Sequence, residues 1–268
     1  MKLLIFSLFF LLVSCGHFSR GKVLPPEKAQ LMTYVFRDKT GTFSLERKSN
    51  LNKNKNLVVV KQTLLNTEQT NSENVIEEVR SYSTPGVLKK EISILRPTRS
   101  IFNVWFDKKK YSSEIKLNTK THKLDVSVLS PDEKLNGSKQ FSLPSKNTGV
   151  FCFFSQIIEC VNASNFIKTA IDKDAGQMNF HVIWENYPFI QDQYSDLPNE
   201  VFAAASFEYE GKNQKGEYKF TLQLPNQAIF YVVDKNADLL KMFWVAQGIS
   251  IVRSDKEADL DEGDNESE

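Results

Sequence analysis

Three histidines, His17, His122 and His181, are the only imidazoles in the 268-residue chain. A histidine general base or metal ligand must therefore be one of them. None stands in a metal-ligand spacing with another ligand. His181 alternates with Phe180 and Val182 in a strand-like run, and His122 lies in a polar turn. Asp234-Lys235-Asn236-Ala237-Asp238 begins like a calcium loop, but Leu239 occupies the sixth position and Val245 the twelfth. The sharp turn and bidentate carboxylate of such a loop are missing, so the stretch reads as a hairpin turn. Glu77-Glu78 and Glu208/Glu210 bring carboxylates close in sequence, though proximity on a strand does not separate two pKa values for acid–base work. No Gly-x-Ser-x-Gly elbow and no Gly-rich phosphate loop occurs. The expectation is a protein that is not an enzyme and holds no metal or cofactor.

Cysteine carries the one strong chemical signal. Lys2 and the apolar run Leu3 to Val13 lead into Leu12-Val13-Ser14-Cys15, followed by Gly16. The run has the length of a signal peptide and is short for a membrane span. It resembles the lipobox of bacterial lipoproteins. That resemblance implies a signal peptide over residues 1–14 and a mature chain of 254 residues beginning at Cys15, thioether-linked to diacylglycerol and often N-acylated. Each buried methylene contributes about 0.8 kcal/mol, so two or three chains hold a protein on a membrane almost permanently. The address implied is the bacterial cell envelope. Gly16, rather than an aspartate, after the lipidated cysteine leans towards the outer membrane. Cys152 and Cys160 would then enter an oxidising compartment. On one continuous helix their eight-residue spacing sets them about 12 Å apart, beyond disulfide reach; a broken helix would allow a bridge.

Charge is balanced overall at +1 but unevenly distributed. From Arg37 to Lys146 there are 21 Lys and Arg against 12 Asp and Glu, an excess of +9, while Ser254 to Glu268 carries 8 acids and one Lys, −7. The basic residues are scattered through strand-like segments, so nucleic-acid binding is not expected. Solvation accounts for most of them, and anionic lipid or an acidic partner would suit them.

The elements that must position these residues follow from periodicity. After a tether over residues 15–30, short alternating runs predict strands at Leu31–Phe36, Thr42–Arg47, Leu57–Leu65, Val75–Tyr82, Val87–Leu95, Ile101–Phe106, Tyr111–Leu117 and Lys123–Leu129. Pro85-Gly86, Asp107–Lys110 and Asn118–His122 are the turns expected between the later ones. From Thr148 to Val161 the period becomes helical, and a second helix is expected from Ser164 to about residue 172. A strand at Met178–Trp184 precedes a Pro-containing loop, Glu185–Glu200, long enough for a lid or binding edge. Two hairpins and a strand at Ile249–Arg253 complete a single β-rich domain over residues 31–253. The acidic tail, 254–268, has too little apolar surface to fold.

This element order, with Trp105, Phe106, Tyr111, the Leu143-Pro144 step and Trp244, resembles a family of uncharacterised periplasmic proteins over roughly residues 98 to 253. Those proteins resemble the lipoprotein-carrier half-barrels. The fold implied is mainly β with a short helical insertion (α+β), a curved antiparallel sheet or half-barrel packed around one or two helices. Phe153, Phe154, Ile157, Ile158 and Val161 of the first helix, with Trp184 and Trp244, are then the candidate lining of a groove for lipid or another apolar ligand. The same residues could equally fill a core, since a lined cavity and a packed interior share a composition. Two functions therefore stand at this level: a membrane-anchored binding or carrier module, and an envelope interaction protein that docks a protein partner without a small-molecule ligand.

Overall fold

The structure is a computed structural model that describes residues 30–38, 43–52, 54, 56–65, 75–88, 92–118, 121–144 and 149–255. The leader, Cys15, His17 and the tether before Gln30 lie outside these, as do Asn147, Thr148 and the tail beyond Asp255. No helix among the described residues is long and apolar enough to cross a membrane.

Among the described residues, fifteen strands form one curved, unclosed sheet. The first eight run in sequence as an antiparallel meander: β1 Gln30–Asp38, β2 Phe43–Leu51, β3 Leu57–Leu65, β4 Val75–Leu88, β5 Ile92–Phe106, β6 Lys109–Asn118, β7 Lys123–Leu129 and β8 Gly137–Ser142. A short strand, β9 Phe151–Phe153, then lies parallel to β10 Gln177–Ile183. A second antiparallel meander follows: β11 Phe202–Lys212, β12 Tyr218–Gln223, β13 Ala228–Val233, β14 Leu239–Trp244 and β15 Ile249–Arg253. β15 pairs with β1, Phe36 opposite Arg253, which joins the two meanders at mid-sheet. The ends of the sheet are therefore β8 and β9, which are neighbours in sequence.

Those two ends overlap. Ile115, Leu124 and Val126 on β6 and β7 pack against Phe153, Ile183 and Val201, with Phe141, Leu143, Phe151 and Phe202 around them. β9 and the end of β10 are consequently apolar on both faces: Cys152 and Val182 turn towards the main core, Phe153 and Ile183 towards the overlapping strands. Alternation with both faces covered produces an unbroken apolar run, and that is why Val150 to Phe154 reads as one helical stripe in sequence.

The helix expected over Thr148–Val161 is accordingly divided. Its first part is β9, a 3-10 turn follows at Phe154–Gln156, and only α1, Ile157–Ala163, is helical. The break brings Cys152 and Cys160 to a Cα separation of 5.8 Å, and they are joined in a disulfide. α2 spans Phe166–Lys173 and stops where Asp174 turns left-handed.

Other turns differ too. Pro85-Gly86 is not a turn, since β4 continues to Leu88, with Pro85 opposite Leu95. Thr98 is an extra residue in β5 at a bulge between Pro97 opposite Ser83 and Arg99 opposite Tyr82, and its hydroxyl bonds the Tyr82 carbonyl at 2.9 Å. A bulge lets a long strand carry a proline that cannot donate to the ladder. The expected strand at Val87–Leu95 is thus the end of one strand and the start of the next. The β5–β6 connection is tighter than expected: only Asp107 and Lys108 lie between the strands, both at positive φ (48° and 63°), as a two-residue type I′ hairpin requires.

Candidate functional site: an aromatic and polar interior

The segment Phe154–Gln156 and α1 lies inside the curve, α1 against β5 and the 3-10 turn against β3 and β4. It divides the interior into an aromatic and a polar side.

On the aromatic side the Phe154 ring is 4.7 Å from Trp184 and 5.6 Å from Trp244, and the two indoles stack at 6.3 Å. Tyr194 closes the group at 4.6 Å from Trp244. Trp184 and Trp244 are 2% and 1% exposed, while Phe154 and Tyr194 are half-buried. The Trp244 indole N–H donates to Gln227 Oε1 at 2.6 Å, meeting the requirement of a buried Trp for an acceptor. Of the seven residues singled out in sequence, Phe154, Ile157, Ile158, Val161, Trp184 and Trp244 belong to the main core that contains this group, with Phe154 and Ile158 only partly buried. Phe153 does not: it faces the opposite side of β9, in the seam between the sheet ends.

On the polar side Glu185, directly after Trp184, is the hub. Its carboxylate accepts from the Phe154 and Ser155 amides at 3.0 Å each, from the Ser155 hydroxyl at 2.6 Å and from the Ser81 hydroxyl at 3.0 Å. Ser100 bonds Ser81 in turn at 3.0 Å. Burial pushes the Glu185 carboxyl pKa up, and the Ser155 and Ser81 donors oppose that rise. Gln156 is held by the Ser83 hydroxyl and donates to the Ser81 carbonyl at 2.9 Å. Arg47, from β2, grips both oxygens of Glu159 on α1 at 2.6 Å and also reaches the Ser155 carbonyl at 3.2 Å. Lys61, from β3, pairs with Glu77 at 2.7 Å, and Gln193 donates to the other Glu77 oxygen at 2.8 Å. Burial alone would lower the Lys61 pKa, but Glu77 holds the ammonium above its ordinary range. Burial, reinforced by Glu77, likewise raises the Tyr194 phenol.

Sequence reasoning passed over Arg47, Lys61, Glu159, Glu185 and Tyr194. The available signal was Lys61, a lone cation in the apolar strand Leu57–Leu65, because a charge in such a place requires a partner. The Glu185–Glu200 loop, expected as a lid or binding edge, packs its first half inward, while Gln191, Asp192, Ser195, Asp196, Asn199 and Glu200 are exposed. Phe189 stacks on Phe102 at 6.4 Å, Ile190 and Leu197 are buried, and the loop carries α3, Ile190–Gln193.

The residues first considered for chemistry are dispersed. His181 stacks on Phe151 at 5.4 Å on the outer side of β10, and burial lowers its pKa. Glu77 is buried beside Lys61, whereas Glu78 bonds Gln62 at 2.8 Å on the other face of β4. The Asp234 carboxylate is satisfied by the amides of Asn236 at 2.8 Å and Asp238 at 3.0 Å, which closes the hairpin turn. An open cleft of about 510 Å³ lies elsewhere, over β10–β12, lined by Asn179, His181, Ala204, Ser206, Gln223 and Pro225 among others.

No protein-family model matches the sequence, and neither does any curated protein sequence. Among solved structures, a beta-barrel-like protein of domain of unknown function DUF1849 from Brucella abortus aligns over 84% of this chain and 94% of its own, at 9% identity and a TM-score of 0.42.

Proposed function

We propose that this chain is a lipid-anchored protein of the bacterial envelope, held at its outer membrane, whose non-catalytic β-rich domain binds an acyl chain or another apolar ligand. Support for the anchor is the Leu12-Val13-Ser14-Cys15 stretch. Support for the ligand class is the aromatic side of the interior. Half-buried Phe154 and Tyr194 rest on two fully buried indoles, an apolar wall with a polar belt to one side. The ionisable groups of that belt are committed to each other as Arg47–Glu159, Lys61–Glu77 and the Glu185 cap. That arrangement suits holding a segment in place rather than moving protons.

The test has two parts. Cys15→Ser abolishes acyl labelling if Cys15 carries the lipid; continued labelling rejects the anchor. Organic extraction of protein purified from cells, followed by mass spectrometry, yields acyl species beyond the anchor itself if the domain binds lipid. A ligand-free domain rejects the carrier reading.

The second reading, an envelope protein that docks a protein partner, is favoured by β8. It ends the sheet, and every one of its side chains but Phe141 is exposed. Such an edge accepts an added strand. A stable protein partner recovered with a ligand-free domain supports this alternative.

A further inference from the structure

The β5–β6 hairpin tip carries Trp105-Phe106-Asp107-Lys108-Lys109-Lys110-Tyr111. Phe106 and Tyr111 turn inward, their rings 5.4 Å apart, and Tyr111 meets Phe189 at 5.6 Å. The rigid inner packing leaves the outer face of the same tip to solvent. On that face Trp105 stands opposite Lys110, whose ammonium lies 5.6 Å from the indole centroid. Two pairs along, on the same face, Ser112 of β6 faces Leu129 of β7, which is 68% exposed. Leu135, in the loop that follows β7, is 46% exposed at the same end of the sheet. Lys108, Lys109 and Lys110 are all exposed, and among the described residues none of them forms an ion pair. Asp107, Asp132 and Glu133 are exposed acids at this end beside exposed Lys134, and partly buried Glu78 lies in the same row as Ser112 and Leu129, its carboxylate accepting from Gln62 and Asn103.

We propose that this tip docks on an anionic phospholipid surface. Exposed lysines alone would suit any acidic partner. Adding a half-buried indole and two exposed leucines to the same end gives the mixture that a membrane interface accepts. Trp sits at headgroup depth, short apolar side chains enter the acyl boundary, and lysines meet the phosphates. The two-residue type I′ turn fixes the three lysines on a short, stiff connection, so little ordering is lost on contact. The inference rests on the residues of the tip and does not require lipid at Cys15.

Trp105 is the chain's own probe, because the other two tryptophans are buried at 2% and 1% exposure. Full-chain protein is reconstituted into vesicles of brominated phosphatidylcholine alone, or of phosphatidylcholine carrying brominated phosphatidylglycerol, and tryptophan emission is followed. Quenching of one component is expected only with phosphatidylglycerol, and Trp105→Phe removes that component while leaving the buried emission as the control for folding. Each lysine near an anionic surface is worth about a fivefold change in partition, so Lys108→Ala/Lys109→Ala/Lys110→Ala lowers engagement about 100-fold and abolishes the quenching. Raising ionic strength from 0.05 M to 0.5 M weakens the contact in the same direction. Unquenched Trp105 in phosphatidylglycerol vesicles overturns the proposal and leaves the lysines to an acidic protein partner. Equal quenching by brominated phosphatidylcholine, or quenching that survives the triple variant, overturns it as well. Failure here leaves the interior ligand site untouched, since that site is read by co-purifying lipid.

Discussion

The Glu185 carboxylate lies under two amides and two hydroxyls in a place almost closed to water. Glu185→Gln keeps the shape but turns an amide NH2 group towards donors, so at least one of them loses its acceptor. The expected cost is about 1–3 kcal/mol, typical of a buried polar group left unsatisfied, measured by denaturant unfolding at neutral pH. The pH dependence has a definite sign. Burial raises the folded pKa of Glu185 above its unfolded value. Its contribution is therefore fully present below the unfolded value, about 4.3, and is lost as pH rises through the folded one. Glu185→Gln should flatten the stability profile in that window. A profile that stays identical in slope would show that Glu185 does not titrate there. None of this was legible from Glu185 itself, since a single acid after a tryptophan looks like any solvated loop residue until the Phe154 and Ser155 amides are brought over it from thirty residues away.

At the scale of elements, the Cys152–Cys160 bridge ties β9 to α1 across the break in the expected helix. In the chain-entropy model, closing a loop this short is worth about 2–3 kcal/mol. Cys160→Ser should lower unfolding free energy by that amount, and an unchanged value would remove the bridge as a structural element. The case shows what periodicity can and cannot deliver. A strand with one covered face, such as Lys123–Leu129, was readable because alternation maps directly onto sidedness. β9 was not, because overlapping sheet ends cover both its faces and erase the period. Pro85-Gly86 misled for a related reason: the dipeptide favours a turn locally, but a fourteen-residue strand with a bulge opposite carries it through. The aromatic cluster was legible in part. Phe154, Trp184 and Trp244 were named from sequence and converge, while Phe153, adjacent in sequence and alike in type, is sent to the seam by the pleat.

For the whole molecule, two structures must hold at once: the seam where β6–β7 overlap β9–β10, and the interior that the curved sheet wraps around. Phe153 is fully buried in the seam, so Phe153→Ala should cost about 3–5 kcal/mol, as a core aromatic does, without effect on ligand content. A cost below about 1 kcal/mol would mean that the overlapping sheet ends do not pack on each other there, since surface substitutions stay within that range. Phe154, next in the chain, faces the proposed ligand. The measurement that tests the account most directly is Phe154→Ala, with unfolding free energy and co-purifying acyl species determined on the same preparation. Binding predicts a loss of about 1–2 kcal/mol, smaller than for a fully buried aromatic, together with a marked drop in bound lipid. A loss of about 3–5 kcal/mol with bound lipid unchanged, or no lipid in either protein, would show a filled core and contradict the binding function.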